Sequence, residues 1–279
     1  MHEYTVLVTG TLSGLGRSVH ETLGGIGWTR QLPTHEERNE IKRRGVDVII
    51  HCAVNARRSI DVDSDNLYGY VADNVLLTEE LQSIPHQKFI YISTTAVYPP
   101  QLSIFREEQV IQVDAVDGIY ATTKLISEAI VRTHCPNLLI LRLVAPLGRY
   151  SRKNSLIRIL DDEPCTLTLA ADSTFNYVLH SDVCDFIRFA IATDIQGIYN
   201  VASKGNLTLS DIAAWQSKKL NFGGYRHDIG NVDNTKIAAI FPAFRKTSRE
   251  VVAQFIQERI NRATEMIESA FWREENFKN

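Results

Sequence analysis

Tyr120-Ala-Thr-Thr-Lys124 sets a phenol and an ammonium four residues apart. On a helix those two positions share a face, so the groups can stand side by side. Tyrosine ordinarily ionises near pH 10, and a neighbouring cation stabilises the phenolate and lowers that value. Tyr120 can then give a proton to, or take one from, the oxygen of a carbonyl/alcohol pair. The bland alternative is an exposed polar pair on a helix surface. Upstream, Phe89-Ile-Tyr-Ile-Ser-Thr-Thr-Ala-Val-Tyr98 reads as a buried strand ending in three hydroxyls, Ser93, Thr94 and Thr95. Open α/β sheets bind ligands at strand C-termini. Thr94 or a neighbour can therefore donate a hydrogen bond to a substrate oxygen, the competing use being a turn or helix cap.

A second group of residues points to a phosphate. Thr9-Gly-Thr-Leu-Ser-Gly-Leu-Gly16 follows an apolar run, Thr5–Val8, and opens a helix. Glycine permits the tight turn and lets backbone approach a pyrophosphate, while the helix N-terminus offers free N–H groups. Gly10, Gly14 and Gly16, with Leu12, Ser13 and Leu15 between them, are the candidate phosphate loop. Their spacing is T-G-x-x-x-G-x-G rather than G-x-G-x-x-G. The acidic residue that normally holds a ribose 2′-OH is missing, because Thr22 to His35 contains no Asp or Glu. The second strand, expected at Trp28–Leu32, carries Arg30 instead. An arginine there accepts a 2′-phosphate, with Arg17 assisting, which favours NADP over the alternative, NAD.

These groups need a scaffold that brings strand ends together. Thr5–Val8, Val46–His51, Lys88–Ser93 and Leu138–Leu143 are continuous apolar runs suited to parallel strands covered on both faces. Helical spacing marks Leu15–Leu23, Glu36–Arg44, Leu67–Ser83 and Tyr120–His134 between them. The alternation predicts right-handed βαβ units and an α/β, Rossmann-type doubly wound sheet. After Tyr150 the rhythm changes, with helices at Asp182–Ala192, Leu209–Leu220 and Ser248–Ser269 and a strand at Gly197–Val201. Residues 1–150 are expected to form the dinucleotide-binding domain and 151–279 a substrate lobe, part of 173–205 returning to the sheet.

Composition excludes several classes. The 279 residues are 44% hydrophobic and 23% charged with net charge −3, and contain no basic block for nucleic acid. The longest apolar runs are far too short to cross a bilayer. The first residues lack the basic and apolar regions of a signal peptide. Cys52, Cys135, Cys165 and Cys184 are scattered without a C-x-x-C pair, which suits reduced thiols in the cytoplasm and no metal site.

Taken in order, the motifs resemble the extended short-chain dehydrogenase/reductase superfamily, with its nucleotide-sugar epimerases, dehydratases and ketoreductases. Gly10–Gly16 is similar to the glycine loop. His51-Cys-Ala53 resembles the H-x-A stretch, and Asp73-Asn-Val75 with Thr78 and Leu81 the helix before the catalytic strand. Ser93-Thr-Thr-Ala-Val-Tyr98 resembles S-S/T-x-x-V-Y, with Tyr120 and Lys124 at the family's distance downstream. Leu141-Arg142 with Pro146 and Gly148, and Tyr177-Val-Leu-His-Ser-Asp-Val183, resemble later motifs. The resemblance implies Thr94 as the catalytic hydroxyl and Cys52, Ala53 and Asn74 as further cofactor contacts. It also implies a homodimer built from the helices at Leu67–Ser83 and Tyr120–His134. Thr95 and Ala96 stand where the 4,6-dehydratases carry Asp-Glu, so dehydration lacks its acid and base. The short span from Gly27 to Asp47 resembles the compact 4-ketoreductases. The implied activity is reduction of a nucleotide-linked sugar. The alternatives are 4-epimerisation with retained NAD, reduction of a non-sugar carbonyl, and a non-catalytic dinucleotide-binding role.

Overall fold

Val6–Thr9 is buried along its whole length, as a strand covered on both faces must be. In the computed structural model, which describes residues 4–55, 57, 61–218 and 220–276 with side chains to 265, this run is β1. It is followed by α1 (Gly14–Leu23), β2 (Ile26–Trp28), α2 (His35–Arg44), β3 (Val46–His51), α3 (Leu67–Val71), α4 (Leu77–Gln82), β4 (His86–Thr94), α5 (Gly118–His134) and β5 (Leu138–Leu143). The second half adds β6 (Ala145–Leu147), α6 (Ser155–Asp161), β7 (Cys165–Thr166), β8 (Thr174–Phe175), β9 (Tyr177–Leu179), α7 (His180–Ala192) and β10 (Gly197–Val201). Then come β11 (Leu207–Thr208), α8 (Leu209–Trp215), β12 (Leu220–Asn221), α9 (Thr235–Ile240) and α10 (Ser248–Asn276).

Six strands form one parallel sheet in the order β10-β5-β4-β3-β1-β2. From β1 the chain turns first to β2 on one side and then to β3 on the other. That reversal opens a crevice at the C-terminal ends of β1 and β3, the place where such sheets hold ligands. Strand alternation sends Val8, Ile50, Ile90 and Leu141 to one face, against Val19 of α1 and Val183 and Phe186 of α7. It sends Leu7, Ile49, Phe89 and Ile140 to the other, against Leu81 of α4 and Val131 of α5. Leu156, Ile212, Val252 and Phe255 build a separate core beneath the second half of the chain. No helix among the described residues is long and apolar enough to cross a membrane.

Three elements differ from expectation. β2 lies at Ile26–Trp28, not Trp28–Leu32, because its register ends where Trp28 meets Thr9 and the glycine loop begins. Thr29 N–H then donates to Leu32 O at 2.6 Å, closing a turn that carries Arg30 beyond the strand. The helix expected over Leu67–Ser83 contains a π-helical segment, Ala72–Leu76. Within it the Asn74 carbonyl accepts a hydrogen bond from Ser127 Oγ of α5 at 2.7 Å. The helix expected over Leu209–Leu220 stops at Trp215: Ser217 takes φ 52, and Leu220 leaves to pair with Cys165.

Candidate active site

The glycine loop closes on itself before it meets anything else. A Cβ on Gly16 would stand 2.5 Å from Gly10 O, so α1 can start here only without a side chain. Gly14, at φ +60, has the opposite surroundings: its Cβ would meet nothing within 4 Å, because it stands at the open lip of a cleft of about 990 Å³. The cleft is lined by Gly10, Leu12, Ser13, Gly14, Leu15, Gly16, Arg30, Cys52, Ala53, Thr94, Tyr120 and Lys124. Tertiary folding has brought these expected residues to one wall system. Two others are elsewhere. Arg17 does not line the cleft: its Nε donates to Glu21 at 3.0 Å and its guanidinium lies 4.1 Å over the Tyr150 ring. Asn74 is buried behind the wall, where Oδ1 accepts the Asn55 N–H at 2.7 Å.

The end of β4 sorts the three hydroxyls. Ser93 is buried and donates to Glu128 at 2.5 Å, and Thr95 is buried beside Leu143 O. Strand alternation leaves Thr94 on the cleft lining with Tyr120, its Oγ1 capping the next turn by accepting the Ala96 N–H at 3.2 Å. Burial pushes the Tyr120 phenol up to about 12, and the Thr94 hydroxyl and the Arg152 charge pull it back. Lys124 Nζ donates to Ile92 O at 2.7 Å and lies over the Tyr91 ring, its charge turned to the strand. Burial lowers its own pKa to about 8. Arg152, in the loop after β6, also lines the cleft, favours the phenolate through its charge and has no carboxylate partner among the described residues. No periodicity or motif singles it out among Arg149, Arg152 and Lys153.

Behind the catalytic wall, Glu128 of α5 holds the Arg142 guanidinium through two bonds of 3.0 and 2.7 Å. Arg142 passes on to the Tyr98 hydroxyl, which donates to Asn200 of β10. The strand bearing Thr94 and the helix bearing Tyr120 are thus tied to the sheet edge by buried, charge-assisted bonds. On the opposite wall, His180 Nδ1 lies 2.8 Å from Ser18 Oγ of α1, and burial lowers its pKa to about 4. The far end of the cleft, beyond β2, carries Arg30 and Arg38. Arg38 stacks on Trp28 and donates to Thr29 O at 2.7 Å, bracing the turn. Arg30 is bound through two nitrogens to Asp73.

A doubly wound sheet, a glycine loop at the switch point and a Thr/Tyr/Lys set at the end of the next strands define a dinucleotide-dependent oxidoreductase of the short-chain type. The chain belongs to the NAD dependent epimerase/dehydratase family, whose model matches residues 6–202. It is similar to the solved UDP-glucuronic acid 4-epimerase of Bacillus cereus, with TM-score 0.72 and 18% identity, covering 91% of this chain and 99% of that one. It is also similar to the dTDP-4-dehydrorhamnose reductase of Clostridium acetobutylicum, with TM-score 0.76 and 17% identity, covering 91% and 98%. The corresponding reductase of Bacillus anthracis, solved with NADP, gives 0.74 and 18% over 91% and 99%. No curated protein sequence matches the chain. The residues present fit a dinucleotide: the Gly14 position leaves space where a side chain would stand, and Gly10 to Gly16 turn the α1 N-terminus towards it.

Proposed function

We propose that the chain is an NAD(P)-dependent oxidoreductase of nucleotide-linked sugars, most simply a 4-ketoreductase. Residues 1–150 would bind the dinucleotide and 151–279 the substrate, in a cytoplasmic homodimer. The observation that carries the reading is the meeting of Thr94, Tyr120 and Lys124 on the lining of one cleft, with the glycine loop at its other side. A bound nicotinamide would supply or accept the hydride. Tyr120 delivers its proton to the carbonyl oxygen, and its raised pKa keeps that proton in place at neutral pH. Thr94 donates to the same oxygen. Lys124, which lines the cleft, would hold the ribose hydroxyls, and Arg152 would attract an anionic substrate. NADP(H) is the favoured cofactor because the far end of the cleft carries Arg30, with Arg38 beside it; NAD(H) is the alternative.

One observation favours the second activity, 4-epimerisation with a retained dinucleotide. Tyr150 O accepts the Gly14 N–H at 3.0 Å, and the Tyr150 hydroxyl donates to Glu21 at 2.7 Å. The loop is thereby fastened over the α1 N-terminus, which suits slow cofactor exchange. The test is to identify the dinucleotide that co-purifies with the protein and then supply nucleotide-linked 4-keto sugars and 4-epimer pairs. Net oxidation of reduced dinucleotide supports the reductase. Interconversion of epimers without net redox change supports the epimerase. Neither reaction, with any common nucleotide, overturns the substrate class.

A further inference from the structure

The Arg30 partner comes from an unexpected place. Arg30 stands on the turn after β2, and Asp73 on the π-helical segment across the cleft, 43 residues on. Both line the cleft, and both hydrogen bonds of a side-on arginine–carboxylate pair are made. Their anchoring is unequal. The Asp73 side chain is 25% exposed and accepts a further bond from Asn55 Nδ2 at 2.8 Å, whereas the Arg30 side chain is 79% exposed. The carboxylate is therefore the fixed member, and the guanidinium has come to it. The segment that usually supplies an acid to the ribose contains none, so Asp73 is a cleft carboxylate at this end by tertiary placement alone.

We propose that Asp73 sets the choice between NAD(H) and NADP(H), by competing with the ribose 2′-phosphate for Arg30. The inference rests on the cleft being the dinucleotide site. A 2′-phosphate must draw the guanidinium away from Asp73 and then lie near a fixed carboxylate of like charge. A 2′-hydroxyl meets no such conflict, since a carboxylate accepts its proton. Arg30 alone would give a strong preference for the phosphorylated cofactor, and its pairing with Asp73 narrows that preference.

The test is titration of both dinucleotides against the full chain, Asp73→Asn, Arg30→Ala and the double variant, with melting temperature as the fold control. Asp73→Asn should raise NADP(H) affinity about tenfold relative to NAD(H), and that gain should vanish in the Arg30→Ala background. Asp73→Ser, which drops the Asn55 bond as well, should move the ratio in the same direction. An unchanged ratio in both folded Asp73 variants, or a gain that persists without Arg30, overturns the proposal while leaving the dinucleotide site intact. Failure of every protein to bind either dinucleotide overturns the site and this inference together.

Discussion

Thr9 and His51 face each other across β1 and β3, with Thr9 Oγ1 2.8 Å from His51 Nδ1. The bonds around them run in one direction. Thr9 Oγ1 accepts the N–H groups of Cys52 and Ala53 at 3.0 and 2.9 Å, so its own proton goes to His51. His51 Nε2 then donates to Thr78 at 3.0 Å, Thr78 to Ser127 at 3.1 Å, and Ser127 to the Asn74 carbonyl. The cleft-lining turn after β3 is thus hung on a chain of buried hydroxyls that ends in the π-helical segment. Thr9→Val keeps the shape, removes the acceptor of two N–H groups and leaves His51 Nδ1 without a donor. It should cost about 1–3 kcal/mol per group left unsatisfied. Urea unfolding measures this, and a loss below about 0.5 kcal/mol contradicts the chain.

The same burial predicts an acid limb in stability. Burial, reinforced by the Lys124 charge, lowers His51 to about 3, and burial lowers His180 to about 4. Unfolded histidine titrates near 6.5, so between that pH and the native values the unfolded state binds the extra protons. Stability from these residues is complete above pH 6.5 and falls with decreasing pH, by up to about 1.4 kcal/mol per pH unit for each histidine. Removing one of them, as in His180→Gln, should make the slope between pH 6 and 4 shallower. Equal slopes in wild type and variant would show that the native residue is already charged.

Tyr120→Phe deletes the transferable proton and keeps the ring. Turnover should fall about 10²–10⁴-fold, with melting temperature and dinucleotide affinity little changed. Thr94→Val should cost less, since it removes one donor and no proton carrier. Lys124, lowered to about 8, is charged below that pH and neutral above it. Dinucleotide affinity should therefore weaken as pH rises through 8, and Lys124→Met should abolish the dependence. Near wild-type turnover in Tyr120→Phe would assign the proton to another group.

Gly14→Val places a branched side chain at the lip of the cleft, on backbone at φ +60 that β-branched residues rarely adopt. Dinucleotide affinity should fall by well over tenfold in a variant that still folds. An unchanged dissociation constant removes the loop from the site.

Dimer formation should use the outer helices. Val131 is fully buried against the sheet, but Ile126 of α5 is 41% exposed and Leu67 of α3 42% exposed. Light scattering at micromolar concentration should report a dimer, and Leu67→Asp with Ile126→Glu a monomer. A monomeric wild type rules this out.

Much of the architecture was legible in the chain itself. Short β-branched runs such as Val46–His51 favour a strand covered on both faces, and four-residue spacing puts Tyr120 and Lys124 on one helix face before any tertiary contact exists. The glycine loop was legible for the same reason: Gly10 to Gly16 are neighbours in sequence, and the turn they permit is local. Tertiary structure decided what depends on register and on partners far along the chain. Strand pleating chose Thr94 over Ser93 and Thr95. Packing against Tyr150 turned Arg17 away from the cleft, and the turn after Trp28 swung Arg30 to Asp73. The site's electrostatics followed the same division. Spacing puts Lys124 one turn from Tyr120, but only the fold ties its ammonium to Ile92 O and brings Arg152 to the same cleft. Spacing determines which groups can meet along one element; which charges meet across elements is set by how the folded layers pack.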